Sequence, residues 1–298
     1  MKHFTSQEIN MFIPSPMFDE KVILEKDISY PRISIVTPSY NQRKFLERTI
    51  LSVLNQNYPN LEYIVIDGGS TDGSVDIIKK YKKYLKYWVS EVDEGQADAI
   101  NKGFLKSSGE ILAWLNSDDI YLPDTLFKVA SAFISMSNFD IVYGNVYGID
   151  EKDFVIKEIR QTPLPFLNYG YLYGGFGFYQ LSVFWKRDLF FRVGGLNKKY
   201  RCCMDDDLFV RFIMAGSRFK FIREFLGCFR IHSLTKTATL PYTSEQEGLK
   251  ARKEYLRFKH NSLMAKIIKN LVRVMRFFYY LLQGDILWII KNLYGMRK

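Results

Sequence analysis

Short apolar runs alternate with amphipathic stretches through the first half of the chain. Ile33-Ser34-Ile35-Val36-Thr37 reads as a strand stopped by Pro38, and Tyr63-Ile64-Val65-Ile66 as a second. Lys44 to Leu54 has helical spacing between them, with Phe45, Ile50, Leu51 and Leu54 apolar. The second strand gives way to Asp67-Gly68-Gly69-Ser70-Thr71-Asp72-Gly73. A helix over Ser74–Tyr81, a short strand near Tyr87–Val89 and a helix over Ala97–Leu105 follow. The fourth run, Ile111-Leu112-Ala113-Trp114-Leu115, ends at Asn116-Ser117-Asp118-Asp119, and Ile120-Tyr121-Leu122-Pro123 carries the chain away. Beyond Pro123 the pattern predicts a helix over Asp124–Phe133, a strand over Asp140–Tyr143, a helix over Asp205–Ala215 and two short strands within Phe219–Ile231. Strands and helices in this alternation imply right-handed βαβ units: an α/β fold with a mostly parallel central sheet.

In such a sheet the ligand crevice lies outside the carboxyl ends of the strands. Three strand ends carry the candidate chemistry. Tyr40, after the first, offers a ring on which a base can stack. Asp67, after the second, can accept a hydrogen bond from a base N–H. Asp118 and Asp119, after the fourth, suit a hard cation, Mg²⁺ or Mn²⁺, that neutralises phosphates; a solvated Asp-Asp turn is the other reading of the same pair. The run Tyr169–Gly177 is either a turn-rich loop or an aromatic loop over a sugar.

Charge changes the picture at one end only. Residues 248–298 hold 12 Lys and Arg against 2 Asp and Glu, which accounts for the whole net charge of +10. There Leu263, Ile267, Leu271, Val274 and Phe278 form one helical stripe, and Lys266, Lys269, Arg273 and Arg276 another on the opposite side. Gly284-Asp285 interrupts the apolar run, so no membrane-spanning helix is expected. A basic amphipathic helix with aromatics reads as lying on an anionic membrane surface; packing on the rest of the chain, or on a second copy in a homo-oligomer, is the alternative. The aromatics sit on the apolar face, so nucleic acid is not an expected partner. Three unspaced cysteines and no signal peptide before Tyr30 point to reduced thiols in the cytosol.

The motifs, taken in order, carry a resemblance. Ser34-Ile35-Val36-Thr37-Pro38-Ser39-Tyr40-Asn41, Val65 to Asp72, Ser90 to Gly103 (with Asp93-Glu94-Gly95-Gln96-Ala97-Asp98) and Leu115 to Asp119 resemble the family 2 glycosyltransferases, inverting enzymes of the GT-A fold. So do Val193-Gly194-Gly195-Leu196, Met204-Asp205-Asp206-Asp207-Leu208 and Phe229-Arg230-Ile231-His232, so that the resemblance covers Pro31 to Thr237. It implies a donor site in which Tyr40 stacks on the base beside Thr37 and Pro38, and Asp67 bonds the base. Asp93, Gly95 and Gln96 then lie near the ribose and diphosphate, and Ser117 and Asp118 face ribose or sugar. Asp119 would ligate Mn²⁺ or Mg²⁺, and His232 would reach the metal or the leaving diphosphate. Asn116 departs from the strict Asp-x-Asp pattern and leaves the metal's identity open.

The resemblance also points to Asp205 as general base, since inversion needs a carboxylate to take the acceptor hydroxyl's proton. The residues themselves fit a helix N-cap as well, because Asp favours that position. Three close acids would raise one another's pKa, and Leu208 with Phe212 should mark the helix's buried side. The chain thus divides into an N-terminal extension (1–30), a catalytic domain (31–240) and a basic helical tail (241–298). The expected function is a non-processive transfer of one sugar, from a UDP sugar by default, to a lipid-linked or surface-glycan acceptor. The chain has neither the Gln-x-x-Arg-Trp element nor the spanning helices of processive relatives. The expected location is cytoplasmic, peripheral on the inner face of the cell membrane. A sugar nucleotidyltransferase and a non-catalytic membrane-binding protein are the alternatives.

Overall fold

The computed structural model describes residues 8–9, 15–135, 138–163, 171–173, 177–253, 255–257, 259 and 261–295. Two compact units result: residues up to Gln161 with Phe178–Gly248, and Thr162–Gly177 with Leu249–Lys298.

In the first unit a short helix α1 (Glu20–Glu25), capped by the Asp19 side chain, leads into the alternation read from the sequence. Strands β1 (Ile33–Ser39), β2 (Leu61–Asp67), β3 (Tyr87–Ser90) and β4 (Ile111–Trp114) are separated by helices α2 (Arg43–Leu54), α3 (Ser74–Tyr81) and α4 (Gln96–Leu105). All four strands are parallel, in the order β3-β2-β1-β4. β1, β2 and β4 are buried along their whole length, so they read as unbroken apolar runs.

Pro38 does not stop β1. The Leu115 N–H donates to the Val36 carbonyl, so Val36 and the residue two further on turn their backbone polar groups toward β4. β4 pairs with β1 only as far as Val36, so the N–H that Pro38 lacks would have met no partner strand. β1 therefore continues beside β2 to Ser39, opposite Asp67.

Beyond β4 the sheet becomes mixed. After β5 (Ile120–Tyr121) and helix α5 (Thr125–Ser135) come β6 (Ile141–Ile149), β7 (Val155–Ile159) and β8 (Val183–Lys186). Helices α6 (Arg187–Arg192) and α7 (Met204–Met214) then precede β9 (Phe219–Arg230). The order continues β4-β8-β6-β9-β5, with β7 on β6; β8 runs antiparallel to β4 and β6, whereas β9 is parallel to β6. Two expectations need correction. Phe219–Ile231 forms one strand of 12 residues, not two, because its irregular middle is absorbed by register shifts against Tyr143–Val146. There Asn145 Nδ2 donates to the Arg223 carbonyl at 2.6 Å. The strand expected over Asp140–Tyr143 likewise runs on to Ile149. Of Tyr169–Gly177, Tyr171–Tyr173 and Gly177 are among the described residues; Tyr171, Leu172 and Tyr173 are buried.

The second unit carries α10 (Leu263–Leu282), capped by the Ser262 side chain, and α11 (Ile286–Gly295). Gly284, at φ 76°, makes the corner between them, and Tyr280 packs on Trp288 with ring centroids 4.6 Å apart. No helix among the described residues is long and apolar enough to cross a membrane. Helix α9 (Pro241–Lys253) spans the boundary between the units.

The seat of α4 on the sheet is tight. A Cβ at Gly103 would lie 2.5 Å from Val36 Cγ1 in the middle of β1. Gly103→Ala should therefore destabilise the protein by about 1–3 kcal/mol through overpacking. Urea denaturation followed by circular dichroism checks this: the midpoint falls at an unchanged slope, and an unchanged midpoint would show that α4 can shift freely.

Candidate active site

The first three parallel strands and β4 end on one rim, and the rim's loops are sewn together by their own polar groups. The Gly68 N–H donates to the Ser39 carbonyl at 2.8 Å. Asn41, in the left-handed region at φ 51°, donates through its N–H to Ser70 Oγ and accepts from the Thr71 N–H through its side chain. These bonds hold Tyr40, which is 63% exposed, directly beside the turn after β2. Thr37 and Pro38 are buried below it, Thr37 Oγ1 lying 3.0 Å from the Tyr63 hydroxyl.

Asp67 is fully buried. Its carboxylate accepts from the Gly69 and Ser70 N–H groups, from Ser70 Oγ at 2.5 Å and from Ser90 Oγ at 2.7 Å. It thereby organises the rim from below. Asp93 is half-buried against Gly68, where a Cβ would approach its Oδ2 to 2.9 Å, and it accepts the Gly95 N–H at 2.8 Å. Gly95 has φ 111°, a glycine-favouring value, and a Cβ there would meet nothing within 4 Å, so the backbone at the start of α4 faces open space.

From α4 a chain of side chains runs to the paired acids. Gln96 Nε2 donates to Asn116 Oδ1 at 2.8 Å, and Asn116 Nδ2 reaches Asp119 Oδ2 at 3.3 Å. Asp119 is buried, its Oδ1 accepting the Arg230 N–H at 2.9 Å and its carbonyl accepting Thr49 Oγ1. Burial, and then the charge of Asp118, push the Asp119 carboxyl well above the usual carboxylate range. Asp118 is more open and lies 3.0 Å from His232 Nε2 through its Oδ2; the His232 ring packs on Phe45. Ser117, between them and Asn116, is buried.

Arg230 is the residue that holds this corner, although no local pattern singled it out beyond its place in the Phe229–His232 motif. Its side chain is fully buried. Its Nε donates to the Asp118 carbonyl at 2.7 Å, its Nη1 to the Asp150 carbonyl at 2.8 Å, and its Nη2 pairs with Asp153 Oδ1 at 2.5 Å. Asp153, itself buried, also pairs with Arg48, and the guanidinium lies over the Phe45 ring, 4.7 Å from its centroid.

Asp205 lies in the first turn of α7, with Asp206 and Asp207. The N-cap of α7 is Cys203, so none of the three acids caps the helix, although all complement its dipole. Leu208 and Phe212 are buried as expected. Asp207 is bound to Arg211 at 2.6 Å, which leaves Asp205 and Asp206 as the more accessible acids of the turn. The approach to α7 is gripped from two sides. The Glu247 carboxylate accepts the N–H groups of Arg201, Cys202 and Cys203 at 2.8 to 3.1 Å. Burial opposes its charge, yet these N–H groups hold its carboxyl below the usual range. From the other side Lys236 Nζ donates to the Arg201 carbonyl and to Gln96 Oε1, tying the segment before α7 to α4. The three cysteines are free thiols, and burial pushes Cys203 up to about 12.

Among the described residues no three His, Cys, Asp or Glu side chains converge as a metal site. The nearest donor set is the Asp118 carboxylate with the His232 imidazole, and Asp119 behind them. Two hard oxygens and one nitrogen suit Mn²⁺ or Mg²⁺ if a ligand's phosphate oxygens and water complete the shell.

The family description "Glycosyl transferase family 2" matches residues 34–197, more than half of the chain. The Bacillus subtilis protein TuaG, named as a teichuronic acid biosynthesis glycosyltransferase, is 41% identical over 101 residues, 33% of this chain and 40% of its own. Staphylococcus aureus TarS 1–349 in complex with UDP-GlcNAc superposes with a TM-score of 0.58 at 18% identity, over 74% of this chain and 64% of that one. The Pyrobaculum calidifontis mannosyltransferase PcManGT, in complex with GDP-Man and Mn²⁺, does so with a TM-score of 0.56 at 17% identity, over 98% and 89%. These structural likenesses show the fold, which is the GT-A arrangement expected from the sequence. For the first two curated relatives the match spans 40% and 55% of their length.

The Arg230 clamp makes a quantitative demand. Removing one partner of a buried ion pair leaves the other uncompensated, so Arg230→Met should cost about 3–5 kcal/mol in stability. Chemical denaturation measures it. A loss below about 1 kcal/mol, the worth of a surface pair, would mean that Arg230 is not the clamp.

Proposed function

Since the chain belongs to glycosyl transferase family 2, we propose that it is an inverting glycosyltransferase that moves one sugar from a nucleoside-diphosphate sugar, a UDP sugar by default, to a hydroxyl of a lipid-linked or surface-glycan acceptor. The observation that carries the reading is the single rim of parallel strand ends on which Tyr40, Asp67, Asp93 and the Asp118–Asp119 pair stand, with Gln96, Asn116 and Asp119 joined by hydrogen bonds. A strand-end crevice of this kind suits a nucleotide. UDP-GlcNAc bound to TarS and GDP-Man bound to PcManGT support the donor class, and the name of TuaG supports a polysaccharide context.

In this mechanism Tyr40 stacks on the base with Thr37 and Pro38 alongside, while Asp67, whose buried carboxylate is taken up by Ser70, Ser90 and two backbone N–H groups, holds the turn beneath the base instead of bonding it as expected. Asp93, Gly95 and Gln96 line the ribose and diphosphate, and Ser117 and Asp118 face ribose or sugar. Asp205 accepts the proton of the acceptor hydroxyl as its oxygen bonds to the anomeric carbon. The bond from that carbon to the diphosphate breaks on the opposite face, and its electron pair leaves with the diphosphate. Asp119 and His232 would hold Mn²⁺ or Mg²⁺, which supplies charge neutralisation at the diphosphate when bound. Arg230 keeps both acids in place, and Glu247 keeps Asp205's helix in place. Asp205→Asn should abolish transfer, by a factor of about 10² or more, while nucleotide binding stays within about twofold of wild type. A variant that retains a large share of turnover would remove Asp205 from the role.

The tail supplies the membrane side of the proposal. On α10 the predicted stripe faces solvent: Leu271 and Phe278 are 57% and 53% exposed, and Leu282 at its end is 82%. Lys266 and Arg273 are exposed along one flank. An exposed apolar face edged with cations suits an anionic bilayer surface, which would bring the crevice to a lipid-linked acceptor at the inner face of the membrane. The full chain should sediment with vesicles of anionic phospholipid and not with neutral ones, and Leu271→Glu with Phe278→Glu should abolish sedimentation. Equal binding to both vesicle types, or binding that survives the double change, would contradict it.

A further inference from the structure

Lys236 stands beside the same crevice and has no place in the roles above. It follows His232 by four residues and opens the short helix α8 (Lys236–Thr239). Its Nζ donates to Gln96 Oε1 at 2.7 Å and to the Arg201 carbonyl at 3.1 Å. Both acceptors are neutral, and an ammonium has a third donor to place. Among the described residues no carboxylate lies within ion-pair distance of it. Burial first, and then the charge of Arg201, hold its pKa below the usual lysine range, while Asp93 and Glu247 attract it only from further away. Most other lysines that border the rim are compensated: Lys102 and Lys198 each pair with Asp98, and Lys44 pairs with Glu151. Lys236 is thus a cation without a counter-ion, held by a glutamine whose other end reaches Asn116 and, through it, Asp119.

We propose that Lys236 is the protein's own counter-cation for the donor's diphosphate. The inference rests on the nucleotide-sugar reading and adds to it a residue that acts on charge alone. A sugar hydroxyl or a base would be served by neutral partners such as Gln96 itself; a site that places a whole positive charge beside them calls for an anion. As the bond between the anomeric carbon and the diphosphate oxygen breaks, negative charge grows on that oxygen. An ammonium within reach then stabilises the transition state more than the bound donor. In exchanging Gln96 Oε1 for a phosphate oxygen, Lys236 trades a neutral acceptor for a charged one, the stronger kind of hydrogen bond.

The experiment compares the affinities of uridine and UDP, with guanosine and GDP run in parallel, for the full wild-type chain and for Lys236→Met and Lys236→Arg, by calorimetry. The wild type should bind the diphosphate more tightly than the nucleoside. Lys236→Met should weaken diphosphate binding about tenfold or more, leave nucleoside binding unchanged and lower kcat for transfer more than it raises the donor KM. Lys236→Arg should recover most of the difference, because it restores the charge. Equal weakening of nucleoside and diphosphate by Lys236→Met would make Lys236 a prop for Gln96 and Arg201, and unchanged diphosphate binding would overturn the proposal outright. A wild type that binds neither nucleoside nor diphosphate would overturn the nucleotide-sugar reading, and this one with it.

Discussion

The buried guanidinium of Arg230 is the constraint on which the rest of the site depends. Two acids at the end of β4 must stand side by side, one of them shut away from water, and like charges so placed repel each other. Arg230 offsets that repulsion from behind. Its backbone N–H meets the Asp119 carboxylate, while on the guanidinium Nε meets the carbonyl of Asp118 and the far end is neutralised by Asp153. A guanidinium can do this because its planar fork reaches several acceptors at once, where an ammonium would present a point charge. The arrangement also explains the mixed half of the sheet: β9 has to run alongside β6 as far as Arg230 to bring that side chain beneath the β4 acids.

The parallel half and the mixed half therefore do different work. β1, β2, β3 and β4 present a rim whose loops are fixed by short-range bonds, such as those of Asp67 with Ser70 and Ser90. The mixed half delivers Arg230 and, just after it, His232 and Lys236. The segment before α7, the helix that carries the proposed base, is held by Glu247 from α9 and by Lys236. The rim and the helix proposed to carry the base thus come from separate parts of the chain joined by a few polar links.

Much of this was legible in the sequence, for reasons that differ by element. β1, β2 and β4 are buried on both faces and stop at polar residues, so unbroken apolar runs disclosed both the strands and the acids at their ends. β5 has two residues and none of β7's five is buried, so neither offers a period to read. β9 looked like two strands because its register against β6 shifts in the middle. Pro38 looked like a stop because its neighbour across the sheet cannot be known from composition. Arg230, Lys236 and Glu247 were missed as site residues for a common reason: their partners lie 111, 140 and 44 to 46 residues away, and no local pattern encodes such contacts.

The central claim is direct displacement at the anomeric carbon of a nucleotide sugar, and stereochemistry tests it without knowledge of the acceptor. The full chain is incubated with UDP sugars and Mn²⁺, with water as the acceptor, and the anomeric proton of the first sugar released is followed by NMR before mutarotation. The account predicts release with the configuration opposite to that of the donor, and its loss in Asp205→Asn. A first product that keeps the donor's configuration would contradict it.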